Sequence, residues 1–222
     1  MSKANANTAA TTAAKKAKQS KVATTAAADT AAAAQTAILA AIKRRIENAD
    51  NDNQRDTLTA EYRFFDDANA AVILSKCEAL KIDLQALARQ IAVLKTESKN
   101  DFLAVYALQK VRKALYAIAN NARSGFDGYT NSILFNLVKL QTINNKESRM
   151  SICKSIEYSE TEQVQTLKRL HNCSESTAST QASSTRMMLK ALNLANVIKQ
   201  KNNDAITMRE NDAARAVIAF YA

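Results

Sequence analysis

The stretch Ser183–Arg209 reads SSTRMMLKALNLANVIKQKNNDAITMR, and its pattern of apolar residues changes part-way along. In its first part, apolar side chains recur at the spacing of one helix face: Met188, Leu189, Leu192 and Ala195. This periodicity predicts an amphipathic helix that buries one side. The periodicity stops at Asn196, and asparagine tolerates the left-handed backbone conformation that ends many helices. We therefore predict that this helix ends at Asn196.

Two short segments with β-branched residues follow the helix, at 197–200 and 205–209. Polar, turn-forming residues at 201–204 separate them, and this pattern favours a β-hairpin with a basic tip. Residues 176–221 contain neither glycine nor proline, so a continuous helix is the competing interpretation of the same stretch. The two interpretations differ in whether the backbone after Asn196 is extended or helical.

A helix-turn-helix pattern precedes this stretch. Ser159 and Glu162 have the spacing of a capping box, in which the serine accepts a backbone hydrogen bond and the glutamate reaches back to the helix start. The residues His171-Asn172-Cys173 suit a tight turn, and Ser174 can cap a second helix. We predict a helix, a short turn and a longer helix.

Residues from about 160 to 209 resemble a winged-helix or helix-turn-helix DNA-binding domain of the kind found in small bacterial regulators. The matching residues are Leu189-Lys190-Ala191-Leu192, Asn196-Val197-Ile198, the turn Lys201-Asn202-Asn203-Asp204, and Ile206-Thr207-Met208-Arg209. In that family the second helix enters the major groove and the hairpin, called the wing, lies along the phosphates. The resemblance therefore implies binding of double-stranded DNA. The chain departs from the family in having Asn196 where glycine is usual, and in the long Ser/Thr-rich run before the helix.

The expected DNA contacts lie on the second helix and on the hairpin. Hydroxyl groups can approach phosphates and base edges closely, Gln181 and Arg186 can read bases, and Lys190 can neutralise a phosphate. We expect Arg186 and Lys190 to project from the face of the helix that is not buried. The alternative is a surface helix with a weak start, because Ser and Thr are mediocre helix formers. The full set of expected contact residues is Gln181, Ser183, Ser184, Arg186, Lys190, Lys199, Lys201, Asn202, Asn203 and Arg209.

The composition of the whole chain favours a helical protein. The 222 residues include two glycines and no proline, whereas a β-sandwich or a Rossmann fold would require more turn residues. We expect a mainly α protein, in which a long helical hairpin or coiled-coil-like section is joined to a winged-helix-like module with one small β-hairpin.

The formal net charge of +10 is distributed unevenly along the chain. Residues 49–100 contain more acids than bases, which suits an association region, whereas the basic flanks suit polyanionic partners. The tract 1–28 contains no acid, and its composition predicts a disordered basic tail. This tail acts either as a nonspecific phosphate-binding arm or as a solubilising segment. The lysines proposed for the arm are Lys15, Lys16, Lys18 and Lys21.

A long apolar seam runs through the acidic segment. From Leu58 to Leu94 apolar residues advance in steps of three and four, which predicts one helix of more than about 30 residues. Asn69 lies inside the seam, where a polar residue can fix register or stoichiometry. The partner of the seam is either the helix predicted at 101–123 or the same helix of another subunit. We expect an antiparallel helix pair with some self-association, and hence a homo-oligomer formed through residues 58–118.

Both glycines of the chain lie in one short segment. Gly125 matches a glycine that ends a helix, and Asp127-Gly128 continues as a turn. We therefore place a hinge at 125–130, between a helical association region at 29–124 and the winged-helix-like module at 131–222. Within the module, apolar spacing predicts one helix near 133–140 and a short one near 152–156.

The residues that usually carry catalysis or bind metals are sparse in this sequence. Cys77, Cys153 and Cys173 are widely spaced and His171 is the only histidine, so we expect free thiols, no metal site and no cofactor. Without a phosphate-binding loop or a nucleophile motif, we expect neither an enzyme nor a small-molecule substrate.

The apolar runs of the sequence are short. None approaches the roughly 20 residues needed to span a bilayer, and the N-terminus lacks a secretory segment. We therefore expect no membrane contact and a cytoplasmic location, associated with the nucleoid or packaged in a virion. The function suggested by the long seam alone is different: a helical structural or assembly protein, such as a virion component, scaffold or adaptor, with only nonspecific nucleic-acid contact.

Overall fold

A computed structural model describes residues 29–147, 158–198 and 204–221. Over these residues the protein is mainly helical, as the sequence predicts, with nine α-helices and one small antiparallel sheet. The helices are α1 (29–47), α2 (Asp52–Asp66), α3 (Ala68–Ala79), α4 (Leu84–Ala92), α5 (Val105–Ala119), α6 (Gly128–Glu147), α7 (Glu160–His171), α8 (Glu175–Ala191) and α9 (Asp212–Ala219). The strands are β1 (Tyr158–Ser159), β2 (Ala195–Ile198) and β3 (Ala205–Met208).

The long apolar seam of the acidic segment is carried by three helices, so the prediction of one long helix is wrong. Asp67 is extended at the end of α2, and its side chain caps α3 by accepting a hydrogen bond from the amide of Asn69. Lys81 has the left-handed conformation just after α3, and Asp83 caps α4. Short acidic side chains bond local amides in this way and interrupt a helix whose apolar spacing continues. Asn69 is exposed and does not lie inside a seam.

Helix α5 of the same chain covers much of this seam, which is one of the two partners that the sequence allows. It packs against α2 and α3. Its apolar face is buried: Leu108, Val111, Leu115 and Ile118. The thiol of Cys77 in α3 donates to the carbonyl of Leu115 across 3.4 Å, and Arg112 pairs with Glu61 of α2 at 2.8 Å. The central packing is therefore intramolecular, and the homo-oligomer stays a prediction.

The connection between α5 and α6 is packed tightly against α5. Asn121, with φ of 49°, has the left-handed conformation after α5, so the prediction that Gly125 ends this helix is wrong. Gly125 lies in a 3₁₀ turn, where an added Cβ would meet Ala117 at 2.8 Å. Glycine is required there for space and not for backbone freedom. The hydrophobic core continues on both sides of this connection, while a hinge at 125–130 stays a prediction.

Helix α6 begins the C-terminal part of the chain. It confirms the helix predicted near 133–140, and it buries Ile133, Leu134 and Leu137. The short helix predicted near 152–156 lies outside the described residues. At the other end of this part, the hydroxyl of Tyr221 donates to Oδ1 of Asn131 at 2.6 Å, which attaches the segment after α9 to the first turn of α6.

Candidate nucleic-acid interface

The helix pair α7 and α8 forms as the sequence predicts. The hydroxyl of Ser159 accepts a hydrogen bond from the amide of Glu162, and the Glu162 carboxylate accepts one from the amide of Ser159 at 2.9 Å. Asn172, with φ of 46°, ends α7, and Ser174 caps α8 by accepting a hydrogen bond from the amide of Thr177. Only residues 172–174 separate the two helices.

Helix α8 is terminated at Asn193, so the prediction of a stop at Asn196 is wrong. Asn193 has φ of 56°, and its amide donates to the carbonyl of Lys190 at 3.0 Å. The amide of Leu194 donates to the carbonyl of Leu189 at 2.8 Å. This pair of hydrogen bonds is the Schellman motif, which uses one left-handed residue to end a helix. Asn196 lies three residues further on, in strand β2.

Strands β2 and β3 form an antiparallel hairpin, so the extended interpretation is confirmed and the continuous helix is wrong. Val197 lies opposite Ile206 in this hairpin. Strand β1 pairs with the other edge of β3, where Tyr158 lies opposite Ile206, and the strand order is β1-β3-β2. Ile206 and Leu194 are fully buried and anchor the hairpin to the core.

One face of α8 stays accessible along its length. Its opposite side is buried against the core through Ala178, Ala182, Leu189 and neighbouring residues. We call the accessible stripe the hydroxyl face. It consists of Ser176, Ser179, Thr180, Ser183, Met187 and Lys190, of which Ser183 and Met187 are half-buried. Steps of three and four place these residues on one side of a helix, and no acidic residue occurs between Ser176 and Lys190.

The predicted contact residues fall into three groups. Lys190 and Arg209 are exposed, and Gln181 and Ser183 are half-buried. Ser184 and Arg186 are buried. The remaining predicted residues lie outside the described residues: Lys199, Lys201, Asn202 and Asn203 of the hairpin, and Lys15, Lys16, Lys18 and Lys21 of the N-terminal arm. The Ser184 hydroxyl donates to the carbonyl of Thr180 at 2.8 Å, so it is used within α8 itself.

The side chain of Arg186 is packed against α7, so the expectation that it projects from α8 is wrong. Its guanidinium donates to the carboxylate of Glu160 at 2.6 Å and to Oε1 of Gln163 at 3.3 Å. Only 9% of the Arg186 side chain is exposed. Helical spacing gives the direction of a side chain, but it does not show that a neighbouring helix supplies a carboxylate there. Arg186 therefore holds the two helices together.

A buried polar cluster fixes α8 to the rest of the protein. Nζ of Lys110 lies 2.9 Å from Oδ1 of Asp127 and 2.9 Å from the hydroxyl of Thr130, which in turn lies 3.4 Å from the hydroxyl of Thr185 in α8. Burial alone would raise the pKa of the Asp127 carboxyl, but Lys110 and Thr130 together leave it below its ordinary value. Burial lowers the pKa of Lys110. The cluster is thus a largely buried ion pair.

The histidine of the chain also has a structural role. Nε2 of His171 lies 2.9 Å from the hydroxyl of Ser132, and its ring stacks at a tilt on Tyr129, with 4.5 Å between the centroids. These contacts join the end of α7 to the start of α6.

Exposed cations lie at both ends of the hydroxyl face. Lys168 of α7 pairs with Glu175 in the first turn of α8 at 3.0 Å, and both side chains are well exposed, so the pair contributes little stability. Lys190 and Arg209 lie at the other end, where the amide of Arg209 donates to the carbonyl of Leu194. The sequence-based interpretation expected the hydroxyl-rich run to contact DNA, but its final set of contact residues left out Ser176, Ser179 and Thr180. Counting back from Lys190 in steps of three and four would have found Thr180 and Ser176.

Searches with protein-family models, among curated proteins and among solved structures each found no match to this chain. Within the described ranges, no group of three or more His, Cys, Asp or Glu side chains is placed to hold a metal ion. No helix in the described part of the chain combines the length and apolar character required to cross a membrane.

Proposed function

We propose that the protein is a non-enzymatic, double-stranded DNA-binding protein of the winged-helix type, with α8 as the recognition helix and the β2–β3 hairpin as the wing. The observation that carries the proposal is the order and pairing of its elements. A capped helix pair with a three-residue turn leads directly into the antiparallel β2–β3 hairpin. Strand β1, which precedes the two helices, pairs with the β3 edge of this hairpin. In helix-turn-helix proteins the second helix of such a pair reads the major groove.

The chemistry of the hydroxyl face supports the same proposal. Small hydroxyl side chains allow a phosphate or a base edge to approach the helix backbone closely, and they both donate and accept hydrogen bonds. Lys190 and Arg209 supply positive charge at one end of this face, where α8 passes into the hairpin. Arg186 is not one of the contacts in this proposal, because it is engaged with Glu160.

The N-terminal tract adds nonspecific affinity in this proposal. Its lysines neutralise phosphates and release counterions, which requires no fixed structure. The same mechanism applies to the lysines of the 199–203 segment, between β2 and β3.

Binding of duplex DNA measured over a range of salt concentrations tests the proposal. Lys190→Ala should weaken binding to every duplex, and it should reduce the slope of log K against log salt by about 1, the loss of one phosphate contact. Lys43→Ala, which removes an exposed lysine of α1, is the matched control and should leave the slope unchanged. Equal effects of the two substitutions would contradict α8 as the binding helix.

Sequence discrimination provides a second test on the same helix. Gln181 is half-buried and shares its side of α8 with the buried Thr185 and Met188, so it points away from the hydroxyl face. Thr180 is exposed on the hydroxyl face. On a duplex selected from a random pool, Thr180→Ala should cost about 1 kcal/mol, the loss of one hydrogen bond, and it should change binding to an unrelated duplex much less. A selection that returns no preferred duplex would refute sequence-specific recognition.

A surface cleft favours a second candidate function, self-association as a structural or assembly protein. The cleft has a volume of about 640 Å³ and lies between α2, α3 and α5. Among its lining residues, Val72 is 55% exposed and Tyr116 is 48% exposed. Apolar side chains grouped around a concave surface are typical of protein contacts. Apart from Asn120, the residues that line the cleft lie within 58–118, the range predicted to form an oligomer.

Sedimentation velocity separates the two functions. If the cleft mediates assembly, Tyr116→Lys should reduce the sedimentation coefficient of DNA-free protein. The matched control is Tyr106→Lys, since Tyr106 is on the same helix, is 56% exposed and does not line the cleft. A wild-type protein that stays monomeric at high concentration would exclude assembly through this cleft. A large assembly that binds all duplexes equally would favour the structural function over the DNA reader.

A further inference from the structure

Arg45, near the end of α1, is a buried charge that forms no ion pair with any residue the structure describes. The residue is 3% exposed, and its Nη1 and Nη2 atoms have no hydrogen-bond partner among the described residues. Leaving a buried charged donor unsatisfied is costly, because the group loses its water and gains nothing in return. Burial lowers the pKa of Arg45 to about 10, as expected for a guanidinium that no carboxylate stabilises.

One face of the Arg45 guanidinium is covered by an aromatic ring. The Phe102 ring centroid lies 4.8 Å from its central carbon. A ring stabilises a cation through its face, but it accepts nothing from N–H groups that point outward in the guanidinium plane. The donors at the edge of Arg45 therefore still require an acceptor.

A small cavity lies beside Arg45. Its volume is about 100 Å³, and its lining includes Gln54, Lys95, Thr96 and Phe102. Oε1 of Gln54 accepts a hydrogen bond from the amide of Asp50 at 2.7 Å, which leaves the Gln54 amide nitrogen available as a donor. Thr96, with its hydroxyl, and Lys95, with its ammonium, also line the cavity and can donate. The cavity thus combines two cations, Arg45 and Lys95, with the neutral donors of Gln54 and Thr96.

We propose that this cavity binds a carboxylate group, from either a small organic acid or the C-terminal end of a peptide. The guanidinium fork matches the two oxygens of a carboxylate. Two cations, Arg45 and Lys95, and one acid, Asp50, line the cavity, so a single negative charge balances the site better than a double one. The volume admits a group of a few heavy atoms, since one water occupies about 30 Å³ in the liquid. The site is independent of the proposed DNA surface.

Thermal unfolding in acetate, at constant ionic strength set with chloride, tests the site. The melting temperature of the wild type should rise with acetate and then saturate, because a ligand that binds only the folded state stabilises it. Arg45→Gln should weaken acetate binding at least about tenfold. Lys43→Gln removes a neighbouring exposed charge of the same helix, and it should retain the full response.

Further arms of the experiment identify the ligand class and guard against misfolding. Thr96→Val alters an exposed position, so it should fold normally, and it should weaken acetate binding several-fold. It serves as the test variant if Arg45→Gln does not fold. Short peptides with a free or an amidated C-terminus distinguish a peptide end from a free acid. An equal acetate response in wild type and Arg45→Gln, or in wild type and Thr96→Val, would overturn the site. A stronger Arg45-dependent response to inorganic phosphate would overturn its assignment to carboxylates.

Discussion

Replacement of Asp127 by alanine should destabilise the protein by an amount that depends on pH in a characteristic way. The Asp127 carboxylate has two functions in the folded protein. It accepts hydrogen bonds from Nζ of Lys110, whose side chain is only 5% exposed. It also accepts a hydrogen bond from the amide of Thr130 in the first turn of α6. Asp127→Ala removes both contacts, whereas Asp127→Asn keeps an oxygen for the amide of Thr130.

The expected loss follows from these two functions. An N-terminal helix cap contributes about 1 kcal/mol, and removing the partner of a buried charge costs about 3–5 kcal/mol. Lys110 can limit the second cost by releasing its proton, which requires about 5 kcal/mol at pH 7 and about 2 kcal/mol at pH 9. Asp127→Ala should therefore lose about 4–6 kcal/mol at pH 7 but only about 3 kcal/mol at pH 9. Asp127→Asn should lose about 1 kcal/mol less at both pH values.

Urea unfolding followed by circular dichroism at the two pH values measures these losses, provided that the m-value stays unchanged. Asp52→Ala is the control, because its pair with Arg55 is on the surface, and it should change stability by less than about 0.5 kcal/mol. A loss below about 1 kcal/mol, or the same loss at pH 7 and pH 9, would refute an uncompensated buried lysine. The direction in which Asp127 changes the stability in acid also follows from its pKa. The folded pKa of Asp127 is below its ordinary value of 3.8, so its stabilisation is present above that pH and is lost as the pH falls.

Three further predictions concern single positions. Asn193→Ala should destabilise by about 1–2 kcal/mol, since its φ of 56° is costly for alanine, whereas Asn193→Gly should be neutral or slightly stabilising; chemical denaturation distinguishes them. Gly125→Ala should cost about 1–3 kcal/mol in the same assay, because its Cβ would meet Ala117 at 2.8 Å, and a neutral effect would show that α5 can move aside. Burial raises the pKa of the Cys77 thiol to about 12, so at pH 8 alkylation should modify Cys77 only after unfolding and the half-buried Cys173 already in the folded protein. Mass spectrometry of the alkylated peptides measures both thiols, and rapid native labelling of Cys77 would contradict this account.

Local sequence patterns predicted the elements around the helix pair well. The capping box at Ser159 and the cap at Ser174 depend on residues close in sequence, so their spacing is sufficient to locate the helix starts. The hairpin was also predictable, because β-branched segments separated by turn formers favour strands. The end of α8 was predicted at Asn196 but lies at Asn193. Both asparagines suit a left-handed position, and only the observed hydrogen bonds distinguish them.

The candidate site was only partly predictable. Lys190 and Arg209 are exposed, as a DNA contact requires, while Arg186 is buried because Glu160 approaches it from α7. Arg45 gave no signal in the sequence, where it is one basic residue among several at a helix end. Its significance depends on Phe102, Lys95 and Thr96, which line the cavity and are distant along the chain.

The sequence by itself determined the helical character of this protein, the starts of α7 and α8, and the change from helix to hairpin. These features depend on residues within a few positions of one another, where composition and capping act directly. Local caps break the seam at Asp67 and Lys81, which the apolar spacing does not reveal. Tertiary structure alone decided that α5 of the same chain covers much of the seam and which cations remain exposed. The physical reason is that burial and ion pairing depend on which distant segments pack together, and local apolar spacing does not determine that packing.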